Sequence, residues 1–221
     1  MVRPAERTRQ SIMKAAVKLF AEKGYEGASV RDIVAKAGVN QAAINYHFKG
    51  KDGLYAELLT IAFERLTEQA GFDPQRLKLL SREEALQSFV HQQLRPLLFR
   101  DELSQYIHMF AWESAHPSKP FLKFMATRTV SYLTAAVDLV QRFLPPGTER
   151  RVAVCGAIWL MGQCSTFVRN RELFAREPFK IATDDKFIDE LADFISRLAL
   201  GGLQQAGGVG EKPYGGPSRK H

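Results

Sequence analysis

Between residues 40 and 51 the chain gathers amides, a phenol, an imidazole and two ammonium groups in one short run, NQAAINYHFKGK. Gln41 and Asn45 stand four apart, so on a helix they lie on one face a turn apart. A side-chain amide on such a face matches the adenine N6/N7 edge, donating to one atom and accepting from the other. Ala42 and Ala43 are short enough to allow close approach or to touch a thymine methyl. Tyr46, His47, Lys49 and Lys51 follow, and these side-chain types bond phosphate oxygens. A helix built only for packing has no use for that face.

The flanking residues predict the elements that would present it. Ser29 is an N-cap, its hydroxyl placed to accept from orphan N–H groups of the first turn. Ile33, Val34 and Ala37 then fall on one helical face, and Gly38 stops the helix because glycine enters the left-handed C′ conformation without penalty. Asn40 caps the next helix after a two-residue gap. Two short helices joined by so tight a turn form a helix-turn-helix, whose second helix enters a DNA major groove. The candidate DNA contacts are Ser29, Arg31, Asn40, Gln41, Ala42, Asn45, Tyr46, His47, Lys49 and Lys51.

Charge distribution agrees. Residues 1–51 hold ten Lys/Arg against four Asp/Glu, a surplus of six out of a net charge of +7. Residues 52–200 hold eighteen against nineteen, and the segment from 201 three against one. The positive charge therefore sits on the helix-turn-helix, as the electrostatic footprint of a nucleic-acid-binding module requires.

The run AxKAGVNxxxINYHFKxKxGLY also resembles the core signature of the TetR-family transcriptional regulators. The resemblance extends back through TRQSIMKAAVKLFAEKGYEGASVRDI and covers about the first 60 residues. It implies an all-helical homodimer with an N-terminal DNA-binding domain and a C-terminal domain for ligand binding and dimerisation. Many members carry a phosphate-contacting tyrosine at the position of Asn45. Here the tyrosine is Tyr46, one position or about 100° of arc later. The C-terminal half resembles the CecR-like subgroup in general pattern rather than in a motif.

Helical periodicity runs through the whole chain and strand signals are weak, so the expected fold class is all-α. The expected division is a helix-turn-helix domain over residues 1–55, a helical ligand-binding and dimerisation domain over 56–200, and a disordered Gly/Pro-rich tail over 201–221. Predicted helices span Thr8 to Lys23, with Ile12, Ala16, Leu19 and Phe20 inward, and Lys51 to Gln69. Gly71 to Leu80 reads as a loop. Ser81 with Glu84 is a capping box opening a helix towards Phe99 that Pro96 should kink or end. Further helices are expected from Asp101 to before Pro117, from Ser118 to about Leu144, from Thr148 as far as Phe174, and from Thr183 or Asp184 to about Leu200.

The last helix carries a stripe of Phe187, Leu191, Phe194, Ile195 and Leu198. The one before it mixes Ala153, Gly156, Ala157 and Gly162 with Ile158 and Trp159. Small residues let helix axes approach, and two such helices from each of two chains can make a four-helix bundle. The residues alone allow packing within one chain equally well. The family resemblance implies a dimer, with Ile158, Leu191, Phe194 and Leu198 at the interface. The middle region is aromatic. A bundle enclosing a pocket there predicts an apolar, ring-containing or lipid-like ligand, bound by Phe110, Glu113, Arg128, Tyr132, Trp159, Gln163 and Phe167.

Several classes are excluded or unsupported. The sequence contains no nucleophile elbow, H-E-x-x-H or phosphate-cradling glycine loop. His91, His108 and His116 share no metal-ligand spacing, so neither cofactor nor metal is expected, and no enzyme activity. Cys155 and Cys164, nine apart, fall on opposite helical faces and cannot pair with each other. Both read as small buried hydrophobes, with an intermolecular disulfide or redox sensing as the alternative. Residues 1–10 lack the apolar core of a signal peptide, and no apolar run reads as a membrane span, so a cytoplasmic location without membrane contact is expected. The function these features fit is a ligand-released transcriptional repressor acting as a homodimer on a near-palindromic double-stranded operator. The alternatives are an architectural DNA-binding protein without effector and a helical small-molecule-binding enzyme.

Overall fold

The computed structural model describes residues 4–205, with side chains through 203, and among these residues every regular element is a helix. In order they are α1 (Pro4–Gly27), α2 (Val30–Ala37), α3 (Gln41–Phe48), α4 (Lys51–Ala70), α5 (Pro74–Leu79), α6 (Arg82–Leu94), a 3-10 turn (Arg95–Leu98), α7 (Asp101–Ala115), α8 (Lys119–Arg128), α9 (Val130–Gln141), α10 (Arg150–Arg169), α11 (Arg171–Phe174) and α12 (Asp185–Gln205). Among the described residues they form two compact units, one of residues 4–72 and 98–130, the other of residues 73–97 and 131–205. The expected boundary at residue 55 falls inside α4, which lies wholly within the first unit.

The first unit has one core. The apolar stripe of α1, with Ile12, Ala16, Leu19 and Phe20, meets Ile33 of α2, Ile44 and Phe48 of α3, and Leu54, Tyr55, Leu58 and Leu59 of α4. Tyr106 and Met109 of α7 and Phe124 of α8 join the same cluster. The helix-turn-helix is thus packed against helices drawn from beyond residue 98. The second unit is built on α6, α9, α10 and α12, with Leu86, Phe89, Leu139, Val140, Leu160, Ile188 and Ile195 fully or nearly buried.

Several boundaries depart from the sequence expectation. The supposed loop at 71–80 contains α5, capped by Asp73, whose carboxyl accepts from the N–H groups of Gln75 and Arg76. The supposed long helix from Ser118 breaks at buried Thr129, whose hydroxyl donates to the Met125 carbonyl at 2.8 Å. Such back-bonding to residue i−4 bends helices. The helix expected to reach Phe174 ends at Arg169, and α11 follows. At the C-terminus, α12 continues past Leu200 to Gln205 and buries Leu203. The rest of the expected tail lies outside the described residues.

Two readings of α10 need correction. Cys164 is buried, and burial raises its thiol pKa to about 12, but Cys155 is exposed. Ala153 and Ala157 are buried within the unit, and a Cβ on Gly156 would lie 2.8 Å from Val140 Cγ1, so Gly156 admits the Val140 side chain of α9. Contrary to the sequence reading, α10 is also long and apolar enough, by length and composition, to cross a membrane.

Candidate nucleic-acid interface

The turn between α2 and α3 is built by local capping at both ends. Ser29 Oγ accepts from the Asp32 N–H at 3.0 Å, and Gly38 ends α2 at φ 68°, ψ 34°. Asn40 Oδ1 accepts from the Ala43 N–H at 3.1 Å. A hydrogen bond from the Ser29 hydroxyl to the Asp32 carboxyl, followed by the Lys23 charge, lowers the Asp32 pKa. Ser29 and Asn40 are therefore committed as caps at the starts of α2 and α3. Lys49 closes α3 in the left-handed region at φ 59°.

Ile44 and Phe48 fix the inner face of α3 in the core. Gln41, Ala42, Asn45 and Tyr46 form the opposite, exposed face, and Tyr46 is 81% exposed. His47 is half-buried, its ring edge-on to Tyr46. Arg31 on α2 and Lys49 are exposed. Lys51 differs: it is half-buried, with Nζ 4.2 Å from the Tyr25 ring centroid. Arg9 is likewise occupied, paired with Glu57 and lying over the Phe48 ring.

The joint between α3 and α4 is close. A Cβ on Gly53 would fall 1.9 Å from the Phe48 carbonyl oxygen, so only glycine lets the first turn of α4 approach. A polar network then ties α4 to α7 and α8. Tyr55 donates to Glu113 Oε1 at 2.6 Å, while Glu113 also accepts from Ser118 N–H at 2.6 Å and Ser118 Oγ at 2.8 Å. Burial, then the bond to Glu113, raises the Tyr55 pKa well beyond its ordinary value. Trp112 Nε1 donates to the Ala21 carbonyl at 3.0 Å, its ring seated where Gly24 breaks α1. Sequence reasoning missed this joint because its partners lie tens of residues apart.

The expected ligand residues divide between the units. Phe110, Glu113 and Arg128 belong to the first; Tyr132, Trp159, Gln163 and Phe167 belong to the second. Glu113, expected to orient a ligand, is buried and bonded to Tyr55 and Ser118 instead. Phe110 packs beside Phe121 and Phe124, Tyr132 bonds Gln93, and Phe167 faces Phe174. Trp159 and Gln163 are exposed on α10. Arg128 is exposed and lines an open groove between α4 and α8, of about 880 Å³.

Of the expected interface residues, Ile158 is 61% exposed, Phe194 57% and Leu198 56%. Leu191 is only 7% exposed and serves the core of its own unit. Val154 and Trp159 extend the exposed apolar face of α10.

Residues 12–58 match the profile "Bacterial regulatory proteins, tetR family", and residues 82–203 match that of the C-terminal domain of the HTH-type transcriptional dual regulator CecR. The HTH-type transcriptional repressor NicS of Pseudomonas putida is 30% identical over 207 residues, spanning 91% of this chain and 94% of NicS. The probable HTH-type transcriptional regulator YttP of Bacillus subtilis is 34% identical over 103 residues, 42% of this chain; the match spans only half of YttP's length. The fold is similar to that of the transcriptional regulator FadR from Bacillus subtilis, solved in complex with stearoyl-CoA: TM-score 0.62, 18% identity, 88% of this chain and 98% of that one covered. With the C-terminal profile over more than half the chain and NicS matched almost end to end, the chain belongs to the TetR family of bacterial regulatory proteins.

Proposed function

We propose that the protein is a homodimeric, ligand-released transcriptional repressor rather than an enzyme, acting on chromosomal DNA in the cytoplasm. The observation that carries this reading is the outer face of α3, where exposed Gln41, Asn45 and Tyr46 stand on a helix anchored by Ile44 and Phe48. In this reading Gln41 and Asn45 read base edges, Ala42 allows approach, and Arg31, Tyr46, His47 and Lys49 bond phosphates. Ser29 and Asn40 act as caps beside the backbone. Lys51 contributes less than Lys49, because its ammonium already lies over Tyr25. Residues 1–55 carry DNA recognition and residues 56–200 carry assembly and effector response.

Assembly is supported by the apolar faces of α10 and α12. Ile158 and Trp159 on one helix, with Phe194 and Leu198 on the other, leave large apolar side chains open to solvent within one unit. Clustered exposed apolar surface of this kind marks a protein or membrane contact. A second copy, pairing α10 and α12 into a four-helix bundle, covers it and explains the apolar composition of α10. Repression is supported by the similarity to NicS, itself named a repressor. Response to a small molecule is supported by the FadR likeness, since that protein was solved holding stearoyl-CoA.

Sedimentation with and without a duplex selected from random DNA tests the reading. A dimer that binds one duplex is expected. A monomer that binds the selected and random duplexes equally contradicts it.

A further inference from the structure

The open groove between α4 and α8 has an unbalanced lining. Its floor is apolar, supplied by Ala56 and Ile61 from α4 and Phe124 from α8. Two acidic residues line it, and both are already engaged: Asp52 accepts from Tyr25 Oη at 2.5 Å, and Glu57 pairs with Arg9. The basic residues of the wall are not. Lys119, Lys123 and Arg128 are exposed, and none has an ion-pair partner among the described residues. Lys119 also lies in the first turn of α8, where the helix dipole adds positive potential and no acidic residue offsets it. A volume of about 880 Å³ falls within the range of small-molecule sites, on the order of 300–1,000 Å³.

We propose that this groove binds a single-tailed anionic amphiphile, a phosphate or carboxylate head on an aliphatic chain, with the head on Lys119, Lys123 and Arg128 and the chain along Ile61 and Phe124. This rests on the ligand-responsive reading above and gives it a site. The first turn of α4 supplies both the groove residues Asp52 and Gly53 and the contact of Gly53 with the Phe48 carbonyl at the end of α3. A chain lodged between α4 and α8 therefore bears on the element that holds the recognition helix. Only a ligand that binds one arrangement of α4 better than the other shifts DNA affinity.

The test uses the full chain, dodecyl phosphate below its micelle concentration, uncharged 1-dodecanol at the same concentration, and vesicles of dioleoylphosphatidylglycerol. Binding is read by calorimetry and DNA affinity by anisotropy on a selected duplex. Dodecyl phosphate is expected to bind at least tenfold more tightly than dodecanol. The double variant Lys119→Glu/Lys123→Glu is expected to lose that preference while its ligand-free DNA affinity stays native. Ile61→Trp, which fills the groove without changing charge, is expected to weaken binding of both compounds. Equal binding of dodecyl phosphate by wild type and both variants overturns the groove assignment. So does binding to the vesicles in preference to the free amphiphile, which makes the cationic wall a membrane contact. Groove binding that leaves DNA affinity unchanged retains the site and overturns the effector reading. DNA release by dodecyl phosphate in the charge-reversed variant, as in wild type, retains the effector reading and overturns the site.

Discussion

At the scale of single residues, the division of labour on α3 is decided by which side chains the core has already claimed. Ile44 and Phe48 are buried and leave Gln41 and Asn45 outside with unspent amides. Gln41→Ala is expected to cost roughly 1–3 kcal/mol of discrimination at one base pair in each half-site, measured by competition between matched and singly mutated duplexes. Equal loss on matched and random DNA removes Gln41 from base reading. Among the buried residues, Tyr55→Phe removes the donor to Glu113 at 2.6 Å and is expected to lower stability by about 1–3 kcal/mol. Urea unfolding checks this; an unchanged midpoint and slope show that the bond contributes nothing net. Proton linkage offers a further readout. Bonds from Ser29 to Asp32, and from Ser81 to Glu84, depress these carboxyl pKa values. Their stabilisation is present above the ordinary carboxylate range and is lost as pH falls through the depressed values. Ser29→Ala and Ser81→Ala are each expected to make stability fall less steeply in acid than it does in the native chain, in pH-dependent urea titrations.

At the scale of elements, close approach and local capping explain what the sequence could and could not reveal. Ser29, Gly38 and Asn40 were legible because each cap acts within three or four residues of itself. The capping box of Ser81 and Glu84 was legible for the same reason, and both of its bonds are present. The break at Thr129 was hidden because its apolar neighbours continue a helical period across it, and only the hydroxyl bond to Met125 reveals the bend. Glu113 read as a ligand-orienting group because nothing in sequence links it to Tyr55, 58 residues away. Leu191 and Phe194 shared one apolar stripe, and periodicity alone cannot say which part faces the chain's own core. Gly53 offers the sharpest test at this scale. Gly53→Ala sets a methyl against the Phe48 carbonyl and is expected to reduce DNA affinity at least tenfold although no DNA-facing side chain changes. Native affinity in that variant, with native thermal stability, contradicts the α3–α4 joint described above. On α12, Phe194→Glu with Leu198→Glu is expected to yield folded monomers in sedimentation. Leu191→Glu is expected to unfold the second unit instead, because Leu191 is buried within it. A dimer that survives the first pair contradicts the α10/α12 interface.

At the scale of the whole molecule, the surplus of six positive charges within the first 51 residues sets how DNA binding depends on salt. Each phosphate neutralised contributes about −0.9 to the slope of log K against log salt concentration. Whether a dimer reads DNA through α3 is tested by footprinting on the DNA flanking the protein's own gene. The expected result is two protected half-sites with centres about 34–36 Å apart, or a multiple of that spacing. Protection should vanish together in both half-sites for Gln41→Ala/Asn45→Ala, with the salt slope of residual binding retained. A single protected half-site, or protection unchanged in the double variant, contradicts the account.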